Sequence, residues 1–189
     1  MDVISIFEIP ILCARLDLDV SSIEQYCLEY QRNKPGRIAS NAGGYQSEDI
    51  PEKLVWGLPR LILEIEKYCN SFAETFAFDH TVKLDNLWIN INGHKDYNVS
   101  HNHPASVFSG VYYVKTPENC GNIIFENPAE LMEYSYALLR KKEHNQFNCV
   151  QHWRKAEANL LYVFPGWLKH RVEPNLSNEK RISISFNVC

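Results

Sequence analysis

Two histidines one residue apart, in Ser100-His101-Asn102-His103-Pro104, are the first feature of this chain that could do chemistry. On an extended segment, residues i and i+2 point to the same side, so both imidazoles can reach one metal ion at about 2.1 Å. Taken alone, the pair also fits two ordinary polar residues at a strand end. A third histidine, His170, follows a strand-like run and a tight Pro165-Gly166 turn, and Arg181 comes eleven residues later. Arg181 is the only charge in an alternating stretch, Arg181 to Cys189. Ser183, Ser185 and Asn187 share its face, while Ile182, Ile184, Phe186 and Val188 make the other face wholly apolar and read as core. An arginine on the inward polar side of a closed sheet needs an anion, because an unpaired buried guanidinium is costly. Its fork suits a carboxylate bidentately. The plain alternative is an edge-strand arginine in water.

This order of residues resembles the iron(II)- and 2-oxoglutarate-dependent oxygenases, whose pattern is H-x-D/E, then a distal His, then an Arg, often as R-x-S. The phrases S-N-A-G-G-Y-Q-S (40–47), L-W-I-N-I-N (87–92), H-N-H-P-A-S-V-F-S-G-V-Y-Y-V (101–114), F-P-G-W-L-K-H-R-V-E-P-N (164–175) and R-I-S-I-S-F-N (181–187) make the match closer. They are similar to a bacterial and phage family of 2-oxoglutarate/iron(II) oxygenases. The resemblance runs from about residue 38 to 188; it is strong over 86–127 and 159–188 and weak over 128–158.

The resemblance implies a mainly β fold: a double-stranded β-helix, jelly-roll and cupin-like, with N-terminal helices packed on one sheet. It implies iron(II) and 2-oxoglutarate as cofactors, with dioxygen and a small-molecule or peptidyl substrate as partners. Hydroxylation with release of succinate and carbon dioxide is the default reaction. His101 matches the first metal ligand and His170 the distal one. His103 stands where most of the superfamily has Asp or Glu. Arg181 matches the residue that pairs with the distal carboxylate of 2-oxoglutarate, with Ser183 adding a hydroxyl. Tyr113 sits where related enzymes place a cosubstrate-binding tyrosine. Asn90 and Asn92 face the same way on the preceding strand and are expected to line the pocket, Asn92 beside the cosubstrate. Tyr112, Trp167, Asn187 and the 128–152 excursion are its expected walls.

Histidine at 103 removes the −1 charge of the usual triad, so a ferrous site stays at +2 and 2-oxoglutarate at −2 balances it. The facial geometry would survive with three open positions. The rival is that His103 points elsewhere and leaves two histidines plus water or halide. A literal H-x-D, His94-Lys95-Asp96, follows Asn92-Gly93 and is expected in a loop.

The elements that must position these residues follow from periodicity. Residues 3–18 read as a strand then a turn. Ser21 and Glu24 suggest a capping box opening a helix that Lys34-Pro35-Gly36 ends. Residues 36–53 read as a loop. A second helix follows Pro59, with Leu61, Ile62, Ile65, Tyr68, Cys69, Phe72 and Phe76 at helical spacing. From Lys83 the period changes to two, giving strands over 84–92, 107–114, 123–125, 159–164 and 181–189. Leu131 to Leu139 reads as a helix within an excursion over the site. No repeat or composition break divides the chain: 1–189 is read as one oxygenase domain, 1–82 supplying a strand and supporting helices and 83–189 the β-helix core and metal site.

Composition narrows the classes. With 45% apolar and 22% charged residues the 189-residue chain is an ordinary globular protein that needs no staples. A net charge of −4 speaks against sequence-independent nucleic-acid binding, and Arg140-Lys141-Lys142 reads as a solvated face. The six cysteines form no C-x-x-C pair and read as free thiols in a reducing cytosol, hence a cytoplasmic location. No apolar run is long enough to span a bilayer, and the aromatic content leaves a homodimer open. Two other readings stay open: a three-histidine zinc enzyme, and a cupin-like module that binds a metal or ligand without turnover.

Overall fold

The computed structural model describes residues 1–51, 58–129 and 131–189, so the end of the expected 36–53 loop lies outside the described residues. In chain order the elements are β1 (Leu12–Arg15), α1 (Val20–Asn33), β2 (Asn41–Ala42), β3 (Tyr45–Gln46), α2 (Pro59–Thr75), β4 (Leu84–Asn92) and β5 (Tyr97–His101). There follow β6 (Phe108–Lys115), β7 (Asn122–Glu126), α3 (Leu131–Tyr136), β8 (Gln151–Lys155), β9 (Leu160–Pro165), β10 (His170–Val172) and β11 (Arg181–Val188). The strands form two antiparallel sheets, ordered β1-β9-β6-β11-β4-β3 and β2-β5-β10-β7-β8. These are the two faces of the expected jelly roll.

Alternation along the long strands gives the larger sheet its two surfaces. Ile182, Ile184, Phe186 and Val188 of β11 are fully buried together with Ile89 and Ile91 of β4, Tyr112 and Val114 of β6, and Leu161 and Val163 of β9. This surface packs on the helices. Pro59 opens α2, where its missing N–H costs nothing. The α2 residues Leu61, Ile65, Cys69 and Phe72 then lie buried in one stripe on that surface. Each such side chain contributes roughly 1.5–3 kcal/mol of burial. The other surface faces the smaller sheet. Val111, Tyr113, Tyr162 and Phe164 meet Ile123 and Phe125 of β7 there in a second apolar cluster.

Several boundaries differ from expectation. Residues 3–9 are not strand; Pro10 breaks the run, and pairing with β9 begins at Leu12, opposite Val163. The cap of α1 is Asp19, whose carboxylate accepts from the N–H groups of Ser21 and Ser22. Asp19 precedes the first helical residue and outcompetes Ser21 for that role. The 36–53 stretch contains the short strands β2 and β3, turned on Gly43 (φ 74°) and Gly44 (φ 65°). No helix of the described residues is long and apolar enough to cross a membrane.

Gly110 of β6 is tightly packed in the larger sheet. A Cβ there would run into the Phe186 ring and lie 2.6 Å from the Tyr162 carbonyl oxygen, which is backbone and cannot yield. Gly110→Ala is expected to cost about 2–3 kcal/mol of stability. That is roughly 5–10 °C in Tm for a chain of this size, readable by calorimetry.

Candidate metal and cosubstrate site

His101 ends β5 and His170 begins β10, and the ladder places the two opposite each other. His103 stands two residues beyond, where the chain turns. Its N–H donates to the Gly166 carbonyl at 2.7 Å, and its own carbonyl accepts from Ser106 N–H at 3.1 Å. The second bond closes the turn bearing His103, and the first ties that turn to the Pro165-Gly166 turn that leads into His170. The three rings converge, with centroids 4.4 Å (101–170), 5.0 Å (101–103) and 5.3 Å (103–170) apart. One ring nitrogen from each lies within 4.8 Å of the others, which is the spacing of groups that can hold one metal ion.

Hydrogen bonding sets which nitrogens are offered. His101 Nδ1 is 2.7 Å from the Val99 carbonyl oxygen, and His170 Nδ1 is 2.9 Å from that of Leu168. A carbonyl only accepts, so each ring donates from Nδ1 and keeps its Nε2 lone pair for a ligand. Burial, and then the neighbouring His101, push His103 down to about 4 and His170 down to about 3; burial also lowers His101. All three are neutral imidazoles near pH 7, the form that binds a metal.

Arg181 is 1% exposed and begins β11 opposite Asn92. Its Nη1 donates to the carbonyls of Cys120 and, at 3.0 Å, Glu173. Its Nη2 is buried without a partner among the described residues, and so is the Tyr113 hydroxyl. Burial lowers the pKa of Arg181, with Tyr113 opposing the shift. Burial raises Tyr113 despite Arg181, so the phenol stays protonated and can donate. Arg181, Tyr113, Ser183 and the three histidines line one cavity, joined by Asn90, Trp88 and Ser185 on the larger sheet, by Asn98 on the smaller and by Ser40 just before β2. No carboxylate of the described residues lines it. Two orphaned donors beside a cationic group are the chemistry of an anion site.

The remaining expected residues separate. Asn90 lines the cavity and donates to Ser185 Oγ at 3.0 Å. Asn92 is buried beside Arg181 in the ladder, its Nδ2 unpartnered and close to the Gly44 turn rather than on the cavity wall. Asn187 is buried on the cavity face but does not line the cavity. Tyr112 is not a pocket wall. It turns to the helix side, where its hydroxyl donates to Asn159 Oδ1 at 2.6 Å. Trp167 is 50% exposed and lines a separate outer cleft together with Asn102, Pro128 and Tyr134, so the excursion borders that cleft. Ser40, Trp88, Asn98 and Ser185 were not singled out from sequence. Ser185 and Trp88 stood at the right alternation for it, and Ser40 within a family phrase.

His94 and Asp96 are elsewhere. Asp96 accepts from Gly93 N–H at 2.7 Å, and its carboxylate lies over the Gly43-Gly44 turn, where a Cβ could not fit. His94 Nδ1 faces the Ser177 carbonyl at 3.3 Å. Substituting both by alanine is expected to leave metal binding intact while costing about 1–3 kcal/mol through the unpaired Gly93 N–H. Metal analysis together with a denaturant melt reads both.

A family model described as "Putative 2OG-Fe(II) oxygenase" matches residues 86–187. The chain belongs to this family. It is therefore an oxygenase of the kind that uses iron and 2-oxoglutarate, and the three-histidine cluster and the orphaned donors suit those two groups. Solved structures agree in fold. A prolyl-4-hydroxylase from Pseudomonas putida superposes with a TM-score of 0.68 at 11% identity, over 95% of this chain and 92% of that one. HygX from Streptomyces hygroscopicus, with nickel and 2-oxoglutarate bound, gives 0.63 at 9%, over 95% and 82%. The viral collagen prolyl hydroxylase vCPH of Paramecium bursaria Chlorella virus-1, as its 2OG complex, gives 0.58 at 12%, over 93% and 94%. A search of curated proteins finds no significant sequence match.

Proposed function

We propose that this oxygenase hydroxylates its substrate with release of succinate and carbon dioxide, and that His101, His103 and His170 hold the iron while Arg181, Tyr113 and Ser183 hold 2-oxoglutarate. The observation that carries the reading is the pair of unpartnered buried donors, Arg181 Nη2 and Tyr113 Oη, in the same cavity as the histidines. When both groups are bound, they supply the oxidation: one oxygen atom of dioxygen ends in succinate as 2-oxoglutarate loses carbon dioxide, and the other in the substrate's C–H bond.

The chain's own residues bind, orient and exclude water. The three imidazoles present neutral nitrogens from fixed backbone. Arg181, held by the Cys120 and Glu173 carbonyls, turns its other guanidinium arm to a carboxylate, and Tyr113 donates beside it. Val111, Ile123, Phe164 and Val172 wall the cavity against solvent. With no carboxylate among the described residues of the lining, a dianionic cosubstrate balances a divalent ion without repulsion. The prolyl hydroxylases among the similar structures make a peptidyl substrate the first class to try.

The test is an anaerobic titration of metal-free protein with Fe(II) and then 2-oxoglutarate. A weak visible charge-transfer band of the chelated oxo acid, followed by succinate on admitting air, is the expected result. Tightly held zinc with no band would replace this reading by a three-histidine zinc enzyme. Binding of both groups with no succinate would replace it by a binding module.

A further inference from the structure

The residues that line the histidine cavity carry three side-chain atoms buried without a partner among the described residues, and the three are not alike. Arg181 Nη2 and Tyr113 Oη offer protons. The third, Asn90 Oδ1, is a carboxamide oxygen and can only accept. Asn90 is 5% exposed, and its Nδ2 is committed to Ser185 Oγ at 3.0 Å. Gln46 Oε1, Asn86 Oδ1 and Asn187 Oδ1 are also buried without partners, but those residues do not line the cavity. The β4–β11 ladder fixes the level at which Asn90 stands. It is opposite Ser183; Asn92, two residues on, is opposite Arg181, and Trp88, two residues back, is opposite Ser185. The Trp88 ring is 5.7 Å from that of His103. Along β4, Asn90 therefore lies between the level of the arginine and that of the tryptophan beside His103.

We propose that Asn90 Oδ1 receives a neutral N–H or O–H group of the substrate, which makes Asn90 a specificity-determining residue and the substrate an amide or an alcohol; the inference rests on the oxygenase reading. Leaving a buried carbonyl unbonded is costly, so an orphaned acceptor on a cavity wall calls for a donor. The cosubstrate is not that donor: 2-oxoglutarate is a dianion near pH 7 and offers only acceptors. His101 and His170 have committed their Nδ1 protons to the Val99 and Leu168 carbonyls. No other donor among the described residues reaches Asn90 Oδ1. The group that remains to fill it is one the substrate brings.

Charge narrows the class of donor. An ammonium group would enter a cavity that already holds the Arg181 guanidinium and takes a divalent ion, with no carboxylate among the described lining residues to offset it. A neutral donor carries no such penalty. Ser185 adds the complementary half. Its Oγ accepts from Asn90 Nδ2 and keeps its own proton to give. The wall thus presents an acceptor and a donor side by side, which suits an amide or a hydroxyl, each of which both donates and accepts. A site built around such a bond rejects an analogue lacking the donor far more strongly than an apolar wall rejects a change of size.

The test uses the full chain, first metal-free and then loaded with zinc and 2-oxoglutarate, which keeps the site diamagnetic. The probes are N-methylacetamide and methyl acetate, which share a shape and differ in one N–H. Binding is followed by NMR of backbone and side-chain amides. The expected result is a shift of the Asn90 side-chain amide and of the Ser185 N–H, with N-methylacetamide preferred about tenfold, the worth of one hydrogen bond. Asn90→Leu, close to asparagine in size, should erase that preference and leave 2-oxoglutarate affinity within a few-fold. Equal binding of the two probes by wild type, or shifts that miss Asn90, would overturn the proposal. So would a preference that survives in Asn90→Leu, since the carbonyl would then serve only a trapped water. A loss of about tenfold or more in 2-oxoglutarate affinity in that variant would also overturn it, because Asn90 would then present Nδ2 to the cosubstrate. The comparison of probes on wild type needs no variant and stands even where Asn90→Leu fails to fold. Failure of zinc and 2-oxoglutarate to bind would sink the oxygenase reading, and it shows separately from the probe preference of the metal-free chain.

Discussion

Replacing His170 by alanine is expected to weaken metal binding about 10³-fold, well beyond the 10–100-fold typical of losing a group that merely supports a ligand. His170 is buried against Phe125 and Phe164, and its Nδ1 is committed to the Leu168 carbonyl, so its Nε2 has little to do but face His101 and His103. The same loss is expected for His101→Ala. His103→Ala is the informative comparison. If His103 is a ligand, that variant falls with the other two, and His103→Asp, which restores the carboxylate usual in related sites, retains the metal. If His103→Ala still binds at the wild-type level, the ion rests on two histidines. Metal content after anaerobic loading, with near-UV dichroism to show that the core is intact, separates a lost ligand from a lost fold.

The parts of the site legible in the sequence were those carried by alternation and by residue type. β11 declares an apolar face and a polar face headed by one arginine, and the structure puts them on the helices and the cavity respectively. Alternation also carried information that the pocket reading overlooked. Tyr112 and Tyr113 are neighbours on one pleat, so only one can face the cavity. That one is Tyr113, level with Ser183 in the ladder. The short strands were illegible. β2, β3 and β10 have two or three residues each, too few to show a period, and the pattern of β10 is taken up by His170 itself. β8, Gln-His-Trp-Arg-Lys, has no apolar face because it lies on an edge and buries nothing. The partners of Arg181 were invisible for a different reason. Cys120 and Glu173 bind it through backbone carbonyls, which every residue type possesses.

Those carbonyls decide what Arg181→Ala should do. The guanidinium is nine-tenths or more buried and half satisfied: Nη1 is anchored, Nη2 is not. Removing it deletes the cationic partner of the anion and also leaves the buried Cys120 carbonyl and the part-buried Glu173 carbonyl without this donor. A charge-assisted pair of this kind is worth about 1.5–3 kcal/mol, more when fully desolvated. The apparent Kd for 2-oxoglutarate should therefore rise about 100-fold, equivalent to ~2.7 kcal/mol. Affinity for the metal alone should stay within a few-fold, because Arg181 touches none of the histidines. Arg181→Lys should recover little, since an ammonium cannot hold the Glu173 and Cys120 carbonyls and present a second arm at once. Tyr113→Phe should lose less than Arg181→Ala, about tenfold, because it removes one neutral donor and keeps the ring. The measurement is the charge-transfer titration run on all three variants at fixed Fe(II). Equal 2-oxoglutarate affinity for wild type and Arg181→Ala would mean that the cosubstrate lies elsewhere and that the buried arginine serves only to tie β11 to the turns at Cys120 and Glu173.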